Sequence, residues 1–499
     1  MRKGGLRFLA LSATALLPLP VLGGAAQADT LQEALTAAYS NNPTLAAARA
    51  GQRATDESVP IQKAAGRPGV TATGQYLEFV KQSSNSFIAP ERAVNGQLNL
   101  SVPIYSGGAV RNGVRGAEAR VEAGRADLRG TESSIFSQTV ASYMDVLRGQ
   151  AIVGLQANLV DVLGVNLQAT SDRFEIGDLT RTDVAQSQAR LALAQSDLRT
   201  AQANLIAARE TYAQLTGMAA DDLQPPPPLP GFPASVEDAE DIALAQNPDI
   251  IAAKDRARAS GFDVDVAGAG RLPRVSVITG TSYNNYLGSL DSGGLEPLPQ
   301  TSTGVQVGVQ LNLPLFQGGL PAAQRRQAQA REAAALEQVI AAERAVIAQV
   351  RAAWSSWQAA TAVIQSAQTA VDAAALSLEG VRAENSIGNR TILDALNAEQ
   401  ELLNARVQLV TARRNAYVAG FSLLAAMGRA EARDLGLMEE GLLYDPVVNY
   451  ERVEGKWFDW ANDPDPVVTT TTTADVPPAT AEIPQAATQL GETSAKPGY

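Results

Sequence analysis

The chain has no cysteine and no histidine among its 499 residues. Thiolate chemistry, disulfides, zinc sites of the usual ligand sets and histidine general bases are therefore excluded. Aromatic residues make up 5% of the chain, low for a protein built around one large globular core. No carboxylate pair stands out as a hydrolytic couple, so no enzyme and no cofactor is expected. Basic residues are outnumbered by acidic ones, for a formal charge of −12. A net acidic chain is a poor nucleic-acid binder, and none is expected as partner.

Residues 1–28 have the layout of a signal peptide. Arg2, Lys3 and Arg7 form the basic start, residues 8–22 the apolar stretch, and Ala26-Gln27-Ala28 the small-residue cleavage site. Pro18 and Pro20 interrupt the apolar stretch, which is short for a membrane span. The reading is an exported protein with a cleaved leader. No other apolar run is expected to cross a bilayer as a helix.

What the chain does have is a tandem repeat. Leu31-Gln-Glu-Ala-Leu35 leading to Asn42-Pro43 is matched by Val236-Glu-Asp-Ala-Glu240 leading to Asn247-Pro248. Pro103-Ile-Tyr-Ser-Gly107-Gly108 is matched by Pro314-Leu-Phe-Gln-Gly318-Gly319, at an offset of 211 residues. Thr216-Gly217 and Met427-Gly428 repeat at the same offset. The first repeat is placed at residues 29–224 and the second at 236–428, with a proline-rich linker at 225–235. Each reads as helix, two strands, very long helix, tip and helix. Strands are expected near 70–80, 93–105, 274–286 and 303–316, and the first helix of the chain over 31–65. The long helices are placed at 108–174 and 319–384, with tips at 175–181 and 385–391.

The long helices carry a seven-residue hydrophobic repeat. Val350, Trp357, Ile364, Val371 and Leu378 form one row; Thr139, Val146, Val153, Val160 and Leu167 form its counterpart. Such a period implies packing along a neighbouring helix, and about 66 residues at 1.5 Å each make a rod of about 100 Å. The shorter helices of each half, stacked end to end, would form a second rod. In the strands, Leu98, Leu100, Val102 and Ile104 alternate with neutral polar residues, as do Val305, Val307, Val309, Leu311, Leu313 and Leu315. That pattern suits a half-buried sheet or a membrane barrel. Export, long polar loops, and Tyr76, Phe79, Tyr105, Tyr283, Tyr286 and Phe316 toward strand ends favour the barrel. Four strands cannot close in lipid, because open edges would leave backbone groups unsatisfied, so a barrel requires an oligomer.

Over roughly residues 30–428 the chain resembles the TolC family of outer-membrane efflux and secretion channels. The marks are the tandem repeat, the paired Pro-x-x-x-Gly-Gly junctions and two tips in which Gly177 precedes Asp183 and Gly388 precedes Asp394 by six residues. The segment from Leu443 to Trp460 resembles the tail of the family's type I secretion branch. The resemblance implies an α+β membrane protein: a homotrimer with a twelve-stranded β-barrel in outer-membrane lipid, continuing into a twelve-helix periplasmic α-barrel tunnel. It implies an exit duct for drugs, other small molecules or secreted proteins, driven by an inner-membrane ABC or RND transporter and gripped by a periplasmic adaptor. Residues 429–468 would form a C-terminal equatorial segment; residues 469–499, rich in Thr, Pro and Ala, read from composition as a disordered tail.

The resemblance also implies a gate at the tips. Arg390 would latch onto Thr182 and Asp183 of a neighbouring chain, with Asn385 at a second, shorter-reaching latch position. Asp394 would ring the pore constriction, with the neutral Asn397 one turn later. Gly177, Asp178, Leu179, Ser386, Gly388, Asn389 and Arg390 would meet the adaptor. The same residues also fit simple helix ends: Asp183 and Asp394 as caps, Gly177 and Gly388 as terminators. The competing function is a structural coiled-coil envelope protein that conducts nothing.

Overall fold

The computed structural model describes residues 30–82, 90–220, 222–290, 298–437 and 443–483. The expected leader at 1–28, the centres of the two strand-connecting loops and the end of the tail lie outside these residues.

In the first half, α1 (Leu31–Asn41), α2 (Pro43–Asp56) and α3 (Ser58–Ala64) precede strands β1 (Gly69–Glu78) and β2 (Arg92–Tyr105). The 67-residue α4 (Ala109–Glu175) and α5 (Arg181–Thr216) follow. The second half has α6 (Val236–Gln246), α7 (Pro248–Gly268), β3 (Arg274–Asn285), β4 (Thr301–Asn312), α8 (Leu320–Ser386) and α9 (Ile392–Ala426). A last helix, α10 (Pro446–Glu454), packs on α2 and α3.

The single helix expected over 31–65 is three helices. Asn42 precedes a proline, which disfavours helical backbone, and its ψ is 121°. Its side chain then caps α2 by accepting from the amides of Thr44 and Leu45, while Nδ2 donates to the Leu215 carbonyl at the end of α5 at 3.0 Å. Asn247 repeats this: it caps α7 through the Asp249 amide and donates to the Ala426 carbonyl of α9 at 2.9 Å. Each Asn-Pro step thus starts one helix and satisfies the exposed end of another. The short helices stack through these joints into a rod beside each long helix. At the second break, Pro60 has no N–H to continue α2 into α3.

The four strands form one antiparallel sheet in the order β1-β2-β3-β4. Gly69 pairs with Ser101, Gly96 with Tyr283 and Val277 with Val309, so β1 and β4 are both open edges. β4 was expected to reach residue 316 but ends at Asn312, where its partner β3 begins at Arg274. Pro314, which lacks a donor, follows two residues later. The row of Val305, Val307, Val309 and Leu311 is 63–79% exposed in the chain.

The main core lies at the waist of the helical part. Phe136, Tyr143, Val146, Leu205 and Tyr212 meet Leu35, Tyr39 and Phe421 there, and Tyr143 Oη donates to the Gln224 carbonyl at 2.6 Å. The second half has its own cluster of Ala239, Ile250, Val346, Val350 and Leu423. Toward the tips the shaft thins to small clusters such as Ala374, Leu378, Ala398, Leu402 and Ala405. Alanine at the seam lets helices approach closely, which accounts for the few aromatic residues. α4 lies against α5, α7 and α9, whereas α8 lies against α7 and α9 and keeps most of its surface exposed. One stretch of α4 is apolar and long enough by composition to cross a membrane, contrary to expectation. The helix as a whole lies along α5, α7 and α9, although only 22% of that stretch is buried in the single chain.

The tail also departs from expectation. Residues 469–483 are not disordered but laid along α5. Arg209, itself buried, donates to the carbonyls of Thr480 and Glu482 at 2.6 and 2.9 Å, and Glu210 accepts from the Ala479 amide at 2.8 Å. The segment lacks the apolar content to fold alone; it is held through its backbone by side chains of a formed helix.

Candidate gate at the helical tips

Both hairpins end in the same five-residue turn. In the first, Gly177 has φ of +85°; its amide donates to Phe174 and that of Asp178 to Arg173. In the second, Gly388 has φ of +81°; its amide donates to Asn385 and that of Asn389 to Glu384. This nested pair of bonds satisfies the last carbonyls of a helix and requires the left-handed conformation that glycine adopts without a Cβ penalty.

The returning helices start with reciprocal caps. The Asp183 amide donates to Thr180 Oγ1 at 3.3 Å, and the Thr180 amide to Asp183 Oδ2 at 2.9 Å. The Asp394 amide donates to Thr391 Oγ1 at 3.2 Å, and the Thr391 amide to Asp394 Oδ2 at 3.1 Å. In each, the threonine hydroxyl also donates to the carboxylate. These bonds from Thr180 and Thr391 favour the charged carboxylate and hold both acids below their ordinary pKa. The capping reading of Asp183 and Asp394 is therefore realised within the chain.

The charges around the two turns differ. In the first, Arg173 on α4 reaches across to Asp178 at 2.6 Å. In the second, Arg390 reaches back to Glu384 at 2.7 Å, and the Asn385 carboxamide donates to the Arg390 carbonyl at 2.8 Å. Glu384, and more weakly Asp394, hold the Arg390 guanidinium above its ordinary pKa. Within one chain, Arg390 and Asp183 are thus not brought together; each has a partner on its own hairpin. Thr182 opens α5 beside the cap, and Leu179, Ser386 and Asn389 lie in the turns or at a helix end.

Further contacts at this end were not read from the sequence. Arg190 on α5 donates to Asn397 Oδ1 on α9 at 2.8 Å, linking the two hairpins of one chain. Asn397, read as a pore position, has an intramolecular partner. Arg382 on α8 pairs with the largely buried Glu399 on α9. The matching positions of the first hairpin, Ser171 and Gln188, carry no charge. A glutamate on an alanine-lined seam, one residue after Ala398, was the available signal. Arg190 gave none, because it becomes meaningful only once the two hairpins lie side by side.

Comparison with known proteins fits this arrangement. The sequence profile of the outer membrane efflux protein family matches residues 34–218 and 241–429, the two repeats almost whole. The outer membrane efflux protein BepC of Brucella suis is 34% identical over 448 residues, covering 90% of this chain and 95% of BepC. The outer membrane protein TolC of Vibrio cholerae is 26% identical over 431 residues, covering 85% and 96%. In fold, the chain superposes on the CmeC outer membrane channel of Campylobacter jejuni with a TM-score of 0.70 at 19% identity, over 85% of this chain and 89% of CmeC. The chain belongs to the outer membrane efflux protein family, whose members are transport channels and not enzymes. It is an outer-membrane protein of the Gram-negative envelope that extends into the periplasm.

Proposed function

We propose that three copies of the chain form the outer-membrane exit duct of a tripartite export system. The observation that carries this is the four-stranded sheet with both edges open and an exposed apolar row on β4. In lipid such edges are tolerated only if paired. Pairing β4 of each copy with β1 of the next would close twelve strands, wide enough for an aqueous path. The same operation would place copies of α4, α5, α8 and α9 around one axis and cover the open face of α8. A structural coiled-coil protein has no use for such a sheet.

Cargo would enter at the tips and pass without chemistry by this chain. A periplasmic adaptor would engage the turns through Gly177, Asp178, Leu179, Ser386, Gly388, Asn389 and Arg390, and an ABC or RND transporter of the inner membrane would supply the energy. The gate would close when Arg390 leaves Glu384 for Thr182 and Asp183 of a neighbour, a carboxylate matched to its planar fork of donors. Three copies of Asp394 near the axis would favour cations. Asn385 is short and makes a weaker link, and Asn397 carries no charge, so the latch is loose and the filter a single ring. Reconstitution tests the reading: a heat-resistant trimer with discrete conductance supports it, and a soluble elongated dimer without conductance would sink it.

A further inference from the structure

Two of the four tryptophans, with one of the ten phenylalanines, sit together in the loop after α10. Trp457 is 57%, Phe458 80% and Trp460 91% exposed. The loop is nevertheless tightly built. The Ala461 amide donates to the Phe458 carbonyl at 3.1 Å, closing a turn with Trp460 inside it. Asp463 fastens the far side: it accepts from both Arg452 Nη atoms at 2.8 Å and from Lys456 Nζ at 2.7 Å. Arg67 donates to the Lys456 carbonyl, and its guanidinium lies 5.1 Å from the centre of the Trp457 ring. Three cationic side chains thus hold a loop whose tip is apolar and has no protein partner to explain it among the described residues of one chain.

Its place in the fold is informative. Arg67 stands two residues before Gly69, where β1 begins. The loop is therefore tied to the collar where the sheet meets the helices. Exposed apolar residues of the sheet continue to that level: Ile104 and Tyr105 end β2, and Leu315 and Phe316 follow β4. In an outer-membrane protein this collar is the periplasmic boundary of the bilayer.

We propose that the loop is an interfacial anchor, with Trp457, Phe458 and Trp460 seated among the phospholipid headgroups of the periplasmic leaflet. Tryptophan favours this depth, where its ring is apolar and its N–H finds polar partners. The ionisable Asp459 between Phe458 and Trp460 keeps the loop at the headgroups and out of the hydrocarbon. Clamping by Asp463 removes the ordering cost that a free loop would meet on insertion. Because α10 rests on α2 and α3, the anchor ties the waist of the shaft to the membrane independently of the strands.

The absence of cysteine makes the test direct. Phe458→Cys in the full chain is labelled with an environment-sensitive fluorophore and reconstituted in vesicles of phosphatidylethanolamine and phosphatidylglycerol. Val307→Cys on the exposed row of β4 and Ser196→Cys on α5 are labelled alongside. At position 458 the emission is expected to shift to the blue. A lipid nitroxide near the headgroup should quench it at least about twofold more than one near the chain end. Quenching at 307 with none at 458 beyond that at 196 would overturn the anchor and leave the duct standing. Loss of quenching at 307 as well would remove the membrane reading beneath both. A photo-crosslinker at 458 that captures a second copy of the chain would overturn the anchor in favour of a protomer contact.

Discussion

The Arg390 guanidinium donates through Nε to Glu384 Oε2 at 2.7 Å, closing on its own hairpin. If Arg390 is the latch, Glu384 competes with the neighbour's Asp183 for it, and resting closure reflects which carboxylate wins. Glu384→Gln is then expected to lower the resting conductance of the reconstituted channel severalfold. Arg390→Ala should raise it without altering the heat resistance of the trimer, and the double variant should match Arg390→Ala. Planar-bilayer recording checks all three. A Glu384→Gln channel that opens as widely as Arg390→Ala would make the intrachain pair part of closure itself.

Asp394 combines a cap with the proposed filter, and the two roles respond to different substitutions. Asp394→Asn keeps an acceptor for the Thr391 amide while removing the charge; Asp394→Ala removes both. Both are expected to reduce cation preference, read as the reversal potential in a salt gradient, but only Ala should also loosen the second tip in hydrogen exchange. Asp183→Asn, at the matching cap, should leave selectivity unchanged. Bonds from Thr391 lower the Asp394 pKa. Its charge and cap are therefore present above the usual carboxylate range and are lost only as pH falls through the depressed value. Cation preference should therefore fade on acidification, at a pH set by these bonds against the mutual repulsion of the three carboxylates.

The duplication, the rods and the alternating strands were legible because each rests on a local period of seven or two. The tips were legible because a glycine terminator and a threonine–aspartate cap are written in consecutive residues. Nonlocal pairs were not. Arg190 and Asn397, Arg382 and Glu399, and Asn42 with the Leu215 carbonyl depend on which helices end up adjacent. The break at Asn42 carried a readable signal in the proline that follows it. The tail misled because its Thr, Pro and Ala content describes what it cannot do alone. Its order comes from Arg209 and Glu210 on another element.

Glu132 gives the waist a dependence on pH. Burial raises its carboxyl from 4.5 to about 6, opposed by the Ala432 amide, which donates to it at 2.6 Å. Glu431 and Asp434 add to the rise; Arg49 acts against it, and Arg129 pairs with Glu431 at 2.7 Å. A raised acid favours the protonated folded state. Its stabilisation is full below pH 4.5 and is lost as pH rises through about 6. The segment 430–437 should therefore hold α4 more firmly at pH 5 than at pH 8, by about 1 kcal/mol. Hydrogen exchange of that segment measures it. Glu132→Gln, which retains the acceptor, should shrink the difference to the part due to Glu431, whose pKa burial also raises. An undiminished difference would place the titration elsewhere.

Gly217 and Gly428 end α5 and α9 at equivalent joints, yet they should not tolerate alanine equally. Both are left-handed, with φ of +76° and +75°. A Cβ at 217 would meet Asn41 Cβ at 3.6 Å, an ordinary contact. At 428 it would stand 2.6 Å from the Gln246 carbonyl oxygen and 3.0 Å from Asn247 Cα. That backbone cannot retreat cheaply, because Asn247 is bonded at once to Ala426 and to the Asp249 amide. Gly217→Ala should cost about 1 kcal/mol from backbone strain alone, and Gly428→Ala about 3 kcal/mol or more as the clash displaces the start of α7. The temperature at which the protein unfolds should fall further for Gly428→Ala, with exchange accelerated first around Asn247. Equal losses would mean that the second joint yields as freely as the first, and that stacking of α9 on α7 does not depend on this close approach.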